Sequence, residues 1–261
     1  MSLLREFQAG RLSVKVYGDR TGMGRAAAGD IAAKLRELLR EKEEVNVIFA
    51  AAPSQNEMLE ALAAAPGVAW ERVNAFHMDE YAGLPADAPL GFGNFLRDHI
   101  FSKLPFRSVQ YLNGNCADVA EECRRYGGLL GRHPADVVCL GIGENGHIAF
   151  NDPAVADFGD PVSVKEVELD SVCRAQQVHD GCFARLEDVP THALTLTVPA
   201  LMRGGNLFCV VPAATKAEAV RRMLTEKISE GCPAGILRIH AHASLYLDSD
   251  SAGLLPQEGI K

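Results

Sequence analysis

Apolar residues recur along this chain in two alternating rhythms. From 19 to 40, Met23, Ala27, Ile31, Leu35 and Leu38 fall at helical spacing behind Asp19, which suits an N-cap, so the segment reads as an amphipathic helix. A continuous apolar run over 45–51 follows, then Pro53-Ser54 and a second helical stretch over 56–65. The order is strand, loop, helix. It repeats with strand 73–78, helix 92–101, a short strand 109–112, helix 119–130 and the most apolar strand, 137–142. After a loop-rich middle section come strands 193–198 and 207–211, helix 216–227 and strand 244–247. Apolar runs without period-two alternation mark strands buried on both faces, and their alternation with helices predicts a doubly wound, mainly parallel α/β sheet, Rossmann-like, with helices on both faces. A single domain over 1–261 is expected. The stretch 152–161, rich in Pro, Gly and Asp, reads as an active-site loop or lid.

Composition narrows the class. The chain has 261 residues, 48% hydrophobic and 23% charged, enough to bury a core without covalent staples. Its seven cysteines are scattered and never spaced CxxC, so free thiols in a reducing cytoplasm are expected rather than a zinc ribbon or a disulfide framework. A formal net charge of −8, with no long basic run, argues against nucleic acid as a partner. The opening MSLLREFQAG is interrupted by Arg5 and Glu6, and no apolar run reaches membrane-spanning length. No membrane partner is expected, and a homo-oligomer is left open.

In a sheet of this kind ligands sit outside the carboxyl ends of the strands, so the loops there come first. HMDEYAGL, 77–84, follows a buried strand and carries Asp79 and Glu80, of which one could face a substrate as a proton-abstracting base while the other anchors the loop. The plainer reading is a solvated acidic turn. LGIGENGHIAFNDP, 140–153, brings Gly141, Gly143 and Gly146 to the end of the most apolar strand, then His147, with Asp152 five residues on to fix its tautomer. A core histidine bonded to backbone is the alternative. In PSQNE, 53–57, Ser54 and Glu57 fit a capping box, or Ser54 with free helix amides holds an anion that Glu57 would repel. PAATKAE, 212–218, has the same grammar, with Thr215 and Glu218 as the box and Lys216 free to meet an anionic substrate or simply solvated.

Together these segments resemble the glucosamine-6-phosphate deaminase (isomerase) family, related in fold to 6-phosphogluconolactonase. MDEYAGL (78–84), YLNGN (111–115), GIGENGHIAFNDP (141–153), THALTL (191–196), TKAEAV (215–220) and ILRIHAHASLYLD (236–248) appear in the family's order over roughly 12–250, and IAFN points to the deaminase branch. The resemblance implies ring opening, aldose-to-ketose isomerisation and release of ammonia with formation of fructose 6-phosphate, without metal or organic cofactor. It implies Asp79 as the base between C2 and C1, and His147 as the ring-opening acid/base oriented by Asp152. Asn145, counted with Asp79, His147 and Asp152 in the implied catalytic set, stands where members carry Asp or Asn, and Asp152 where Glu is common, a reach shorter by about 1.5 Å. Glu80 and Gly143 join the implied substrate-binding set. The phosphate loop departs from the family's Thr-Gly-(Ser/Gly)-Thr-Pro, since 52–56 reads Ala-Pro-Ser-Gln-Asn and only Ser54 is retained. Lys216 matches the phosphate lysine. For the phosphate arginine, Arg174 is the nearest candidate and His179 a replacement. Val155 and Ala156 stand where regulated members carry allosteric serines and basic residues, so activation by an N-acetylated sugar phosphate is not expected. Two other functions fit a chain of this kind: a non-catalytic sugar-phosphate sensor and a 6-phosphogluconolactonase, which needs the histidine but no enediol-forming base.

Overall fold

A computed structural model describes residues 2–256. Its main sheet contains β1 (Leu3–Ala9), β2 (Leu12–Tyr17), β3 (Val45–Phe49), β4 (Val73–His77), β6 (Ser108–Gln110), β7 (Val137–Leu140), β10 (Asn206–Val211) and β11 (Ala243–Leu247). The strand order is β1-β2-β11-β10-β7-β3-β4-β6, parallel throughout except for the β1–β2 hairpin. Both faces are covered, which is why the strands read as unbroken apolar runs. Val47, Phe49, Val137, Cys139 and Val210 pack toward one side with Met23, Ile31 and Leu35 of α1 (Arg20–Glu41) and Met58 and Leu62 of α2 (Asn56–Ala63). Ile48, Val138, Leu140, Cys209 and Val211 face the other way, with Tyr126 of α4 (Val119–Arg132) and Val220 and Met223 of α7 (Ala217–Thr225). Among the described residues no helix is long and apolar enough to cross a membrane.

Strand 193–198 does not join the main sheet. It becomes β9 (His192–Leu196), sandwiched antiparallel between β5 (Asp79–Tyr81) and β8 (Val164–Glu168) in a separate three-stranded sheet. Thr197 then ends the strand by capping α6 (Val198–Met202), where Pro199 fits the first helical turn. The β1–β2 hairpin is absent from the helix-and-strand alternation because it precedes it. Helix 92–101 divides into α3 (Phe92–Leu96) and one wider π turn, Arg97–Phe101, which keeps Ile100 and Phe101 buried.

The predicted Asp19 cap forms, its carboxylate accepting from the Gly22 amide at 2.6 Å. Neither predicted capping box does. Pro53–Gln55 is a short 3₁₀ turn, α2 starts without a side-chain cap, and Glu57 instead pairs with Arg20 at 2.7 Å. The Arg20 guanidinium also donates to the Pro53 carbonyl, so Glu57's charge is balanced and the loop after β3 is tied to α1. At the other junction α7 starts uncapped after Lys216, and Glu218 pairs with Arg221.

The contact between α1 and α2 sets the position of that loop. A Cβ on Gly24 would lie 2.6 Å from Glu57 Cβ and 2.9 Å from the Glu57 carbonyl carbon, whereas one on Gly29 meets nothing within 4 Å. In urea unfolding, Gly24→Ala should therefore cost roughly 1–3 kcal/mol through overpacking. Gly29→Ala on the same helix should add about 0.5–1 kcal/mol of stability.

Candidate active site

The chain runs from β3 outward to β4 and β6, returns to β7 at the centre, then leaves toward β10 and β11 on the other side. A cleft opens at this reversal of direction, at the carboxyl ends of the strands. It is lined by the loop after β3 (Ala50 to Gln55), Met78 and Asp79 after β4, and Gly141, Ile142 and His147 after β7. Its rim comes from Pro89 to Phe95 and from the end of α5 (Ser171–His179) with Asp180 and Cys182. Of the 152–161 segment only Asp152 reaches the site, behind His147, and none of the segment lines the cleft, which corrects its reading as a lid. Lys165 pins it down through the Val155 carbonyl and Asp160, 2.7 and 2.8 Å away.

Asp79 opens β5 and is 6% exposed, its carboxyl on the cleft wall. Burial pushes its pKa well above the usual aspartate range, and the neighbouring Glu80 charge adds to the effect. The Asp79 backbone is held by His77, whose Nδ1 lies 2.8 Å from the Asp79 carbonyl while Nε2 accepts from the Leu112 amide at 2.9 Å. Burial brings the His77 pKa down to about 4, so this ring is a neutral clamp with the proton on Nδ1. Glu80 does not face the cleft. One oxygen accepts from the Tyr81 and Phe92 amides and the other from Gly93, fastening β5 to the start of α3. That corrects its place among substrate-binding residues and separates the two carboxylates into a cleft group and an anchor.

His147 lines the cleft with Nδ1 turned inward, 2.8 Å from Asp152 Oδ1. The carboxylate lies off the direction of the ring N–H, so the pair is an electrostatic contact rather than a linear hydrogen bond. Asp152 is fully buried. Its Oδ1 also accepts from Asn145 Nδ2 at 2.9 Å and its Oδ2 from the Asp170 amide at 3.3 Å. Burial alone would raise the Asp152 pKa, but His147 and these donors outweigh it and hold the carboxyl below its ordinary range. Asn145 stands behind the cleft as a positioning residue, not in it: Nδ2 bridges Asp152 and Asp170 Oδ2, 3.0 Å away, and Oδ1 accepts from the His147 amide. An aspartate at 145 would add a third carboxylate where two already need donors. Gly143 has a different task from the one expected. Its amide donates to the His147 carbonyl at 2.9 Å, and a Cβ there would fall 2.1 Å from the imidazole, so Gly143 is the floor on which the ring lies.

The anion end differs most from expectation. Arg174 is not in the cleft; its Nη2 donates to the Leu186 and Val189 carbonyls at 2.8 and 2.9 Å and holds the turn after α5. His179 is an exposed ring 3.4 Å from Glu144 Oε2. Ser54 does line the cleft, its Oγ accepting from Gln55 Nε2, which also reaches the Val210 carbonyl of β10. No arginine or lysine is among the lining residues. Lys216 is buried behind them at 4% exposure, and its Nζ has no hydrogen-bond partner. Burial lowers its pKa, against the attraction of Asp180 and Glu144. Ala213, held at φ 82° with its amide on the Asp248 carboxylate, sets the turn that aims this lysine inward. His77, Gln55, Asp170 and Asp180 carry no local sequence signal of these roles, although His77 lies inside HMDEYAGL, Gln55 beside Ser54 and Asp180 beside His179.

The family profile of glucosamine-6-phosphate isomerases/6-phosphogluconolactonase matches residues 18–246. The chain belongs to this family. Among glucosamine-6-phosphate isomerase/6-phosphogluconolactonase relatives, the glucosamine-6-phosphate deaminases of Bacillus cereus (strain G9842) and Bacillus thuringiensis (strain Al Hakam) are each 38% identical over 183 residues, which is 70% of this chain and 68% of theirs. A solved monomeric glucosamine-6-phosphate deaminase superposes with a TM-score of 0.84 at 27% identity, covering 92% of this chain and 99% of that one. A 6-phosphogluconolactonase from Thermotoga maritima shares the fold, with a TM-score of 0.74 at 19% identity over 90% of this chain and 98% of its own.

Lys216 is the residue whose removal separates site from scaffold. With its folded pKa below 10.5, the folded state binds this proton less tightly than the unfolded chain, so the charge costs stability throughout the neutral range and the cost fades as pH rises toward 10.5. Lys216→Met should raise the unfolding free energy by roughly 1–3 kcal/mol near neutrality. In urea titrations the gain should shrink between about pH 7 and about pH 10. A loss of stability would mean that the ammonium is satisfied.

Proposed function

We propose that this enzyme converts glucosamine 6-phosphate and water to fructose 6-phosphate and ammonia, an isomerisation followed by hydrolytic deamination. The observation that carries the reading is the presence of Asp79 and the Asp152-oriented His147 on one cleft at the carboxyl ends of adjacent strands. His147 Nε2, on the cleft side of the ring, takes the proton from the anomeric hydroxyl and returns one to the ring oxygen. The open chain results. Asp79 then removes hydrogen from C2 and delivers it to C1, leaving an imine at C2 that water hydrolyses with loss of ammonia. Burial biases Asp79 toward its neutral form, and the substrate's own ammonium group, brought beside it, restores the carboxylate that must act as base. The buried, unpartnered Lys216 supports an anionic group on the substrate. Seven free cysteines support the cytoplasm as the compartment.

Ammonia release from glucosamine 6-phosphate is the direct assay, and His147→Gln should lower it about 10²–10⁴-fold. In D₂O the wild-type enzyme should incorporate deuterium at C1 and Asp79→Asn should not. Persistent lactone hydrolysis by Asp79→Asn, with no ammonia from the wild type, would favour a lactonase. The acid limb of kcat/KM, which reports the free enzyme, should lie well above the ordinary aspartate range, and activity should fall as pH drops through it. Glu80→Gln should move that limb down. An acid limb near about pH 4 would remove Asp79 as the base. Replacing the phosphate-side cation, Lys216→Met should raise KM for the phosphorylated sugar about 10–150-fold.

A further inference from the structure

Behind His147 lies a group of side chains that ring opening does not use in full. A ring nitrogen of His147, a carboxylate oxygen of Asp152 and Cys173 Sγ lie within 4.8 Å of one another, and all three residues are buried. They arrive from three places: the glycine loop after β7, the turn that follows it, and the first turn of α5, where the N-cap Asp170 accepts from the Cys173 amide at 2.7 Å. The contact between the first two is unusual. His147 Nδ1 and Asp152 Oδ1 are 2.8 Å apart without the alignment of a hydrogen bond, which leaves a buried nitrogen without a partner. Donor atoms that sit side by side while missing each other are arranged as ligands of a common third atom are.

We propose that His147, Asp152 and Cys173 form a site for one thiophilic divalent cation of the zinc class, and that its occupation stops the sugar reaction. Mixed nitrogen, oxygen and sulfur donors suit zinc, which holds them at about 2.0–2.3 Å in a tetrahedron, with ligand atoms roughly 3.3–3.8 Å apart. The widest separation here must close by about 1 Å, a movement a cysteine rotamer supplies. The fourth position is left to water. On binding, the Cys173 thiol releases its proton to solvent and the neutral imidazole donates its Nδ1 lone pair, with no change in oxidation state. Asn145 and the Asp170 amide already steady the Asp152 carboxylate, as outer contacts do in metal sites. The inhibition follows from the tautomer. A cation on Nδ1 forces the remaining ring proton onto Nε2, so the nitrogen facing the cleft can no longer accept a proton from the sugar. This half rests on the reading of His147 as the ring-opening acid/base; the binding half does not.

Cobalt(II) added to chelator-treated protein is the probe. One equivalent should produce a near-ultraviolet thiolate-to-cobalt band and the intense visible bands of a tetrahedral ion, and zinc should bleach both. Cys173→Ser and Cys173→Ala, each checked for cooperative unfolding, should lose the thiolate band and bind at least tenfold more weakly. Zinc at the same concentrations should abolish ammonia release by the wild type and release far less inhibition in either variant. Absence of the band in the wild type, or its survival in both variants, overturns the site, the latter by moving the thiolate to another cysteine. Binding without inhibition overturns the coupling to catalysis. The spectrum needs no turnover, so a chain inactive on glucosamine 6-phosphate would refute the functional reading while the cobalt bands still decide the site.

Discussion

Asp152 is a carboxylate with no access to water, and such a group is tolerated only when donors inside the protein surround it. Satisfying it draws together parts of the chain with no other reason to meet. Asn145 brings the glycine loop after β7, the Asp170 amide brings the start of α5, and His147 is left between the carboxylate and the cleft. Asp170 extends the arrangement, since its side chain also caps α5 and bonds Asn145. The same helix carries Gln176 and Gln177 to the cleft rim, and the Gln176 side-chain Oε1 accepts from the Glu144 amide at 2.8 Å. One wall of the cleft is thus built outward from a single buried charge.

The opposite wall is organised by neutral hydrogen bonds. His77 grips the peptide at Asp79 from below, Tyr126 closes on the His77 backbone through its hydroxyl, and Glu80 locks the next turn. The two adjacent acids therefore experience opposite surroundings: Glu80 is saturated with amide donors, while the Asp79 carboxyl receives no hydrogen bond from the described residues. The second condition suits the proton-transfer role proposed for Asp79, since no donor there has to be given up when the carboxyl gains or loses its proton.

How much of this was legible in the sequence depends on the range of the interaction. Strands β3, β4, β7 and β10 were visible because burial on both faces removes polar residues from them, and α1 because its apolar stripe and Asp19 cap are local. The order of His147 and Asp152 after a glycine-rich turn was equally local. The failures share a cause. Ser54 and Glu57 have capping-box spacing, but Arg20, 37 residues away, takes Glu57 for itself. Arg174 sits near where the family resemblance implies a phosphate arginine, yet the turn after α5 offers it two carbonyls. Strand 193–198 is apolar like its neighbours but pairs with β5 and β8, a choice made by tertiary contacts and not by composition. Spacing foresees a bond within a turn of helix; it has no means of seeing a competitor from another element.

The lysine aimed inward by the strained turn at Ala213 and the acid on the facing wall are displaced from their usual affinities in opposite senses, one holding its proton too weakly and the other too strongly. A ligand carrying an anion at one end and an ammonium at the other relaxes both at once. Lys216 then tightens its hold on a proton while Asp79 loosens its own, each returning toward its ordinary affinity. Such a cleft favours a molecule whose two charges lie at opposite ends over one that carries either charge alone, because only the first relieves both burial penalties together.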